Sequence, residues 1–157
     1  MKDFKIVISK TETYVSDTSG GKIITPFCIH VAQNYFPYSD WQDFTCEVLS
    51  MWTEALLRNK DSRNENYILY FMDGPHRLEV KQDNSILKLL GVSERKEKLI
   101  RFSYSCTYND FLFELLSAFH QLKRVILECE DICNWVGHSS ILNTIDYYTI
   151  KLESALT

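Results

Sequence analysis

The residue types that could carry out chemistry are few in this chain and fall into small groups. Cys129 and Cys133 lie four residues apart, with His138 nearby. Thiols at that spacing share one face of a helix and could bind a metal ion. The group lacks C-x-x-C spacing and an obvious fourth ligand, and Cys129 falls on an apolar stripe. We therefore expect core thiols here and predict neither a metal site nor a cofactor.

A second group, Asp73 and His76, lies in a short turn. A carboxylate can orient an imidazole for acid–base catalysis. An aspartate in such a turn usually bonds its own backbone, and a histidine there usually lies in solvent, so we expect a structural role for both. The sequence has no G-x-S-x-G, H-E-x-x-H or glycine-rich phosphate motif. No catalytic residue is predicted, and a nucleophile assembled from distant residues stays open.

Carboxylates recur at a helical spacing in the first half of the chain. Asp40, Asp43, Glu47 and Glu54 stand at i, i+3, i+7 and i+14, which places them on one side of a predicted helix. An acidic surface of this kind would speed association with a basic partner through long-range attraction. The alternative is a solvated helix face, in which the two aspartates favour the helix N-terminus and Glu54 pairs with Arg58.

Aromatic residues are concentrated just before this helix. Tyr35, Phe36, Tyr38 and Trp41 could anchor a partner, because Tyr and Trp dominate the hot spots of protein interfaces. They could equally pack against the start of the helix, since Trp41 and Phe44 belong to its apolar stripe. The residues predicted to contact a partner are Tyr35, Tyr38, Asp40, Asp43, Glu47 and Glu54.

A β-hairpin is the clearest fold signal among the elements that must position these groups. Residues 67–71 and 77–80 are predicted to be its strands. In the turn between them, Asp73-Gly74 allows a positive φ, and Pro75 cannot lie in a central strand. The turn therefore sets the register of the two strands.

Four further runs rich in β-branched and aromatic residues predict strands. They cover residues 4–9, 23–31, 86–92 and 98–106. Pro26 cannot donate to a ladder, so its strand is expected to begin after it or to lie at a sheet edge. The polar segment 11–22, which ends in Ser19-Gly20-Gly21, predicts a surface turn. Together with the hairpin, these runs predict a meander-like antiparallel sheet of about five to six strands.

Apolar residues at three- and four-residue spacing predict two to three helices. They cover residues 41–59, 111–133 and a last segment from about 139. Ser39 or Asp40 is the expected N-cap of the first helix, and Thr107 with Asp110 marks the start of the second. We expect these helices to pack on the sheet in a single α+β domain spanning residues 1–157.

The composition is that of an ordinary folded protein with a slight acidic excess. The 157 residues include 17 Lys and Arg against 21 Asp and Glu, and the net charge of -4 disfavours a nucleic-acid partner. No run of apolar residues could span a bilayer or act as a signal peptide, so we expect a cytoplasmic protein without a membrane partner. The five cysteines are an odd number without framework spacing, as expected in a reducing compartment.

Three short segments carry a family resemblance. They are Tyr-Phe-Pro at 35–37 with Trp-Gln-Asp-Phe at 41–44, Trp-Thr-Glu-Ala-Leu at 52–56, and Phe-Met-Asp-Gly-Pro at 71–75. Together they resemble small uncharacterised bacterial proteins, some of which look like immunity proteins of polymorphic toxin systems. The resemblance implies binding rather than catalysis, and it carries over no functional residue.

The resemblance and the lack of a catalytic motif together predict a non-enzymatic protein that neutralises a cognate toxin by covering its active site. The acidic charge favours a basic toxin such as a nuclease. One alternative is a small-molecule-binding domain or enzyme with a pocket between helix and sheet, and another is a structural subunit of an assembly. The oligomeric state, and whether the helices cover one or both faces of the sheet, stay open.

Overall fold

Two antiparallel sheets and four helices make up the fold over residues 3–16 and 21–157, the part of the chain that the computed structural model describes. The strands are β1 (Phe4–Ile8), β2 (Tyr14–Val15), β3 (Ile23–Val31), β4 (Asn34–Phe36), β5 (Gln42–Asp43), β6 (Arg63–Tyr70), β7 (His76–Asp83), β8 (Ile86–Glu94) and β9 (Lys98–Thr107). The helices are α1 (Thr45–Arg58), α2 (Tyr108–Glu128), α3 (Glu130–Cys133) and α4 (His138–Leu156). The predicted α+β class is confirmed, with two sheets in place of the one expected.

Strand β3 is the centre of the first sheet and pairs antiparallel with β1, β2, β4 and β5. The expectation that this strand begins after Pro26 or lies at an edge is wrong, because Pro26 sits within it. The carbonyl of Pro26 accepts the backbone N–H of Ser9 at 3.0 Å, just beyond the end of β1. The nitrogen of Pro26 faces the same side of β3 as its carbonyl. The N–H that proline lacks would therefore lie where the pairing with β1 has already ended. The predicted turn at Ser19 and Gly20 lies outside the described residues.

Side chains of α2 cover the edge of β1 that β3 does not bond. The amide of Gln121 donates to the carbonyl of Ile6 at 3.1 Å and accepts the N–H of Ile8 at 3.2 Å. Glu114 accepts the N–H of Ile6 at 3.3 Å. Helix α2 therefore satisfies backbone groups that would otherwise offer an open template to another strand.

The second sheet is a meander in the order β6-β7-β8-β9. The predicted hairpin is confirmed as β6 and β7, with Tyr67 opposite Val80 and Tyr70 opposite Arg77. Gly74 supplies the expected positive φ, at +68°. The order of the strands leaves β6 and β9 as the two edges of this sheet.

The helices differ from their predicted limits where the backbone has another partner. Helix α1 begins at Thr45 rather than near residue 41, because Gln42 and Asp43 pair with β3 as a strand. Its N-cap is Phe44, without a side-chain cap, so the prediction of Ser39 or Asp40 was wrong. The predicted cap of α2 is confirmed, since Thr107 accepts the N–H of Asp110 at 3.0 Å.

The core lies where the two sheets and the longer helices meet. Trp52 of α1 contacts Phe27 of β3 and Phe71 at the end of β6, with ring centroids 5.6 and 5.2 Å apart. Helix α2 is buried along Leu115 and Leu122, and α4 packs on it. Within the described residues, none of the helices combines the length and apolar character needed to cross a lipid bilayer.

Candidate functional site

The loop between β4 and β5 packs around a buried histidine, forming what we call the aromatic cluster: Phe36, Tyr38, Trp41 and His76. His76 is 4% exposed, and its Nδ1 lies 2.8 Å from the hydroxyl of Ser93. The rings of Trp41 and Tyr38 meet the imidazole edge-on, with centroids 4.8 and 5.7 Å away. Burial, together with nearby arginine charges, lowers the pKa of His76 below its ordinary value. The predicted solvent position of His76 was wrong, because the loop covers it.

Asp43 joins the aromatic cluster to the hairpin turn. Its Oδ2 accepts the indole N–H of Trp41 at 3.1 Å and the backbone N–H of Met72 at 3.2 Å. Its Oδ1 accepts the backbone N–H of Phe44 at 2.8 Å. Burial raises the pKa of Asp43, and these donors oppose the rise. The side chain is 2% exposed, so Asp43 lies inside the fold and does not contribute to an acidic surface.

The hairpin turn reaches the aromatic cluster through Gly74. A Cβ at this position would lie 2.7 Å from Cη2 of Trp41, which is closer than real contacts allow. The side chain of Asp73 meanwhile accepts the N–H of Gly74 at 2.9 Å, which confirms its predicted bond to the turn's own backbone. The turn thus places Met72, which is 44% exposed, beside the cluster.

A cleft of about 610 Å³ opens between α1 and α4, and we call it the α1 cleft. Helix α1 contributes Glu47, Ser50 and Met51, and Met72 of the hairpin turn lines the same space. Trp135, Ser140, Thr144 and Tyr148 line it from the α3–α4 connection and α4. Met72 also links the cleft to the aromatic cluster, because its backbone N–H bonds the carboxylate of Asp43 that accepts the indole N–H of Trp41.

Glu47 is the charged side chain of α1 within this cleft, and it is half-buried. Its Oε2 is inaccessible to solvent and has no hydrogen-bond partner among the described residues. Burial raises its pKa above the ordinary value; a hydrogen bond from its own backbone N–H and the charge of Lys22 oppose the rise, and Asp43 adds to it. The ammonium of Lys22 lies 5.6 Å from the ring centroid of Phe44 and makes no ion pair with Glu47 among the described residues.

Two aromatic rings that are fixed in place bound the far side of the cleft. The indole of Trp135 lies against Gly137, where a Cβ would come within 2.3 Å of the ring. Tyr148 stacks on Phe119 of α2, with centroids 5.7 Å apart and an interplanar angle of 7°. Both rings therefore pack against other parts of the protein in the absence of a ligand.

The other residues predicted to contact a partner do not lie in the cleft. Glu54 bonds the ammonium of Lys151 at 2.9 Å and so joins α1 to α4, which lowers the pKa of Glu54. Tyr35 stacks on His30 at 4.8 Å and is 47% exposed, whereas Asp40 lies in an exposed turn. The structure therefore separates the predicted acidic stripe, and of the six residues predicted to contact a partner it places Glu47 in the cleft.

The predicted core position of the cysteine pair is only partly correct. Cys129 is half-buried where α2 ends, but Cys133 is exposed, and its thiol contacts the carbonyls of Ile126 and Leu127. Nε2 of His138 is buried and has no hydrogen-bond partner among the described residues. Among residues 3–16 and 21–157, no three potential ligands from His, Cys, Asp and Glu come together as a metal site.

Comparison with known proteins identifies no relative that would indicate a function. The chain matches no protein-family model, no curated protein and no solved structure. Chemically, the α1 cleft is lined by the half-buried Glu47, by Lys22, whose ammonium lies over Phe44, and by aromatic and thioether side chains. Such surroundings favour a ligand that carries a positive charge on an apolar stem.

Sequence reasoning identified one wall of the cleft and missed the other. Glu47 was found from its spacing with other carboxylates. Trp135 and Tyr148 were not, because they reach Glu47 only through the packing of α4 on α1 and α2. The sequence did offer one indication of Trp135. A tryptophan is unusual in a fully exposed loop, so its presence near Gly137 between two helices indicates packing against another element.

Proposed function

We propose that this protein is a non-enzymatic binding protein that neutralises a basic protein toxin by occlusion, in the manner of an immunity protein in the cytoplasm. One observation supports the proposal most strongly: Glu47 lines a cleft with aromatic walls, and its buried Oε2 has no hydrogen-bond partner among the described residues. A buried carboxylate oxygen without a partner is unfavourable in the isolated protein. A cationic group of a binding partner would satisfy it.

The rim of the α1 cleft has the composition of a binding surface. Met51 and Met72 line the cleft and are 43% and 44% exposed, and Tyr148 lines the same cleft. Methionine adapts its shape to a partner, and tyrosine supplies large contact area at low cost in conformational entropy. This face therefore offers adaptable apolar contacts around one buried charge.

The charge of the whole chain favours a basic partner as well. With a net charge of -4, the protein attracts a positively charged surface over distances longer than direct contacts. Such attraction raises the association rate, which matters for a protein that must reach a toxin before the toxin reaches its target.

Catalysis has weaker support than binding. Ser93 and His76 form a hydrogen-bonded pair, but both are buried, and they lie away from the α1 cleft. A nucleophile and its base must instead be accessible to substrate. A small-molecule-binding role is the second candidate, because a volume of about 610 Å³ is typical of ligand sites.

Co-expression with the protein encoded beside this one tests the proposal. We expect a stable complex and protection of the cells from its toxicity. Met51→Asp should weaken the complex at least tenfold, because it places an unpaired charge in an apolar contact. Leu127→Asp is the matched control, since Leu127 is 51% exposed on α2 and does not line the cleft.

The outcomes test both the neutralising role and the choice of surface. Absence of both a complex and protection would contradict the neutralising role. Equal effects of Met51→Asp and Leu127→Asp on binding would contradict the choice of surface. Both variants should unfold at the temperature of the wild-type protein, which shows that any loss of binding is not a loss of fold.

A further inference from the structure

We infer that the α1 cleft recognises one arginine side chain, whose guanidinium is bound by the carboxylate of Glu47. The source of that arginine, a basic protein, rests on the proposed function, whereas the chemistry of the cleft does not. Glu47 lines the cleft, and its Oε2 is buried without a hydrogen-bond partner among the described residues. Because this oxygen has no surface open to solvent, the side chain must turn toward the cleft to bond a ligand. A charge-assisted hydrogen bond to the carboxylate is then stronger than one between neutral groups.

The hydroxyl groups of the cleft also favour a ligand that only donates hydrogen bonds. Ser50 donates to the carbonyl of Cys46 at 2.7 Å, and Thr144 donates to the carbonyl of Ser140 at 3.1 Å. Each hydroxyl has thereby used its hydrogen within its own helix, and its oxygen can still accept. Guanidinium has five N–H donors and no acceptor, which matches this set.

The aromatic walls favour guanidinium over the ammonium of lysine. A guanidinium is planar, weakly hydrated and stacks on aromatic faces, whereas an ammonium is a compact and strongly hydrated charge. Trp135 and Tyr148 are held by Gly137 and Phe119 before any ligand arrives. Preformed walls reduce the entropy that binding must overcome.

Lys22 is the cation of this protein that competes for the same carboxylate. It lies near enough to lower the pKa of Glu47, yet its ammonium lies over the ring of Phe44. The ammonium of Lys22 therefore weakens the attraction between Glu47 and an arginine that enters the cleft. Lys22→Met should therefore strengthen binding of a cationic ligand, while Glu47→Gln should weaken it.

The probe is N-acetyl-arginine amide, followed through the indole N–H signals of the full chain by NMR. The three indoles report different places: Trp41 bonds Asp43, Trp52 bonds the carbonyl of Tyr70, and Trp135 lines the cleft. The variant Trp135→Phe assigns the cleft signal. We expect that signal to move with a dissociation constant of about 1 mM, as for a ligand of this size, while that of Trp52 stays in place.

Two matched ligands and two variants decide the inference. N-acetyl-citrulline amide, which is nearly the same shape without the charge, and N-acetyl-lysine amide should each bind at least tenfold more weakly. Glu47→Gln should weaken arginine binding at least tenfold, and Lys22→Met should tighten it. No movement of the Trp135 signal, or equal binding of the citrulline compound, would overturn the inference.

Failure of this inference can be told apart from failure of the proposed function. A partner complex that is insensitive to Glu47→Gln, with no binding of the arginine probe, overturns the arginine site and leaves neutralisation intact. Binding of the probe in a protein that protects against no neighbouring toxin supports the site and contradicts the neutralising role.

Discussion

Trp41 donates its indole N–H to Oδ2 of Asp43 over 3.1 Å, and the same oxygen also accepts the N–H of Met72 in the hairpin turn. One buried carboxylate thus connects three segments: the aromatic loop, β5 and the turn between β6 and β7. Because Met72 also lines the α1 cleft, this connection links the aromatic loop to the cleft.

Asp43→Asn should destabilise the protein by about 2 kcal/mol. The asparagine has one acceptor oxygen for the N–H groups of Trp41, Met72 and Phe44, and its amide adds two donors among them. Chemical denaturation measures the change. Asp40→Asn is the control, because Asp40 is exposed and its replacement should cost less than about 0.5 kcal/mol. Equal stabilities of the two variants would show that the buried carboxylate is not needed.

Glu47→Gln should stabilise the protein at pH 7 by about 1 kcal/mol, which raises the melting temperature by roughly 2–4 °C. Burial raises the pKa of Glu47 in the folded state above its unfolded value. The folded protein therefore holds this proton more tightly, and ionisation at neutral pH costs stability. Thermal unfolding at pH 7 measures the gain, with the exposed Glu97→Gln as control.

The stabilisation by Glu47→Gln should depend on pH with a definite sign. As the pH falls through the raised folded pKa, wild-type Glu47 becomes neutral and the advantage of glutamine shrinks. Below the unfolded pKa, about 4.3, both states are protonated and the advantage should be gone. A constant difference between pH 4 and pH 7 would argue against a buried ionised Glu47. The same variant should bind the arginine probe more weakly, so stability and binding change in opposite directions.

Gly74→Ala should cost about 1–3 kcal/mol and disturb Trp41. Its φ of +68° is unfavourable for alanine, and the new Cβ would lie 2.7 Å from the indole. Asn84→Ala separates the backbone strain from the clash with Trp41. Asn84 also has a positive φ, of 54°, but it lies in the exposed β7–β8 turn. Urea denaturation should show the larger loss for Gly74→Ala, and only that variant should move the Trp41 indole signal. A smaller loss than at Asn84 would contradict the contact.

Gln121→Ala should open the edge of β1, with a loss of about 1–2 kcal/mol and a tendency to self-associate. In the wild-type protein, the amide of Gln121 bonds the backbone of both Ile6 and Ile8. Hydrogen exchange at the Ile8 amide and light scattering measure the two effects. Ser117→Ala controls for loss of the weak 3.4 Å contact between Gln121 and Ser117 and should leave exchange at Ile8 unchanged.

The helix cap and the hairpin were predicted correctly because residues close together in the sequence determine them. The cap of α2 at Thr107 needs only Asp110 three residues later, and the hairpin needs only a turn that permits the positive φ of Gly74. Both were predicted, because the interacting groups are neighbours in the chain.

The errors arose where a distant strand or helix decides the outcome. Gln42 and Asp43 fall within the predicted helix of residues 41–59, but β3 offers them backbone partners, and pairing removes them from the helix. Asp43 consequently became a buried acceptor instead of a surface charge. The position of Trp135 and Tyr148 opposite Glu47 was missed for a similar reason, since the packing of α4 and of the connection before it brings them there.

The two walls of the α1 cleft come from segments far apart in the sequence. The cleft can therefore form only late in synthesis. A ribosome that has released Glu47 has yet to make Trp135 and Tyr148. A chain still being translated therefore has α1 without its opposing wall. Recognition through the cleft becomes available only after α4 has emerged and packed, so any delay in translating the last helix is a delay in binding.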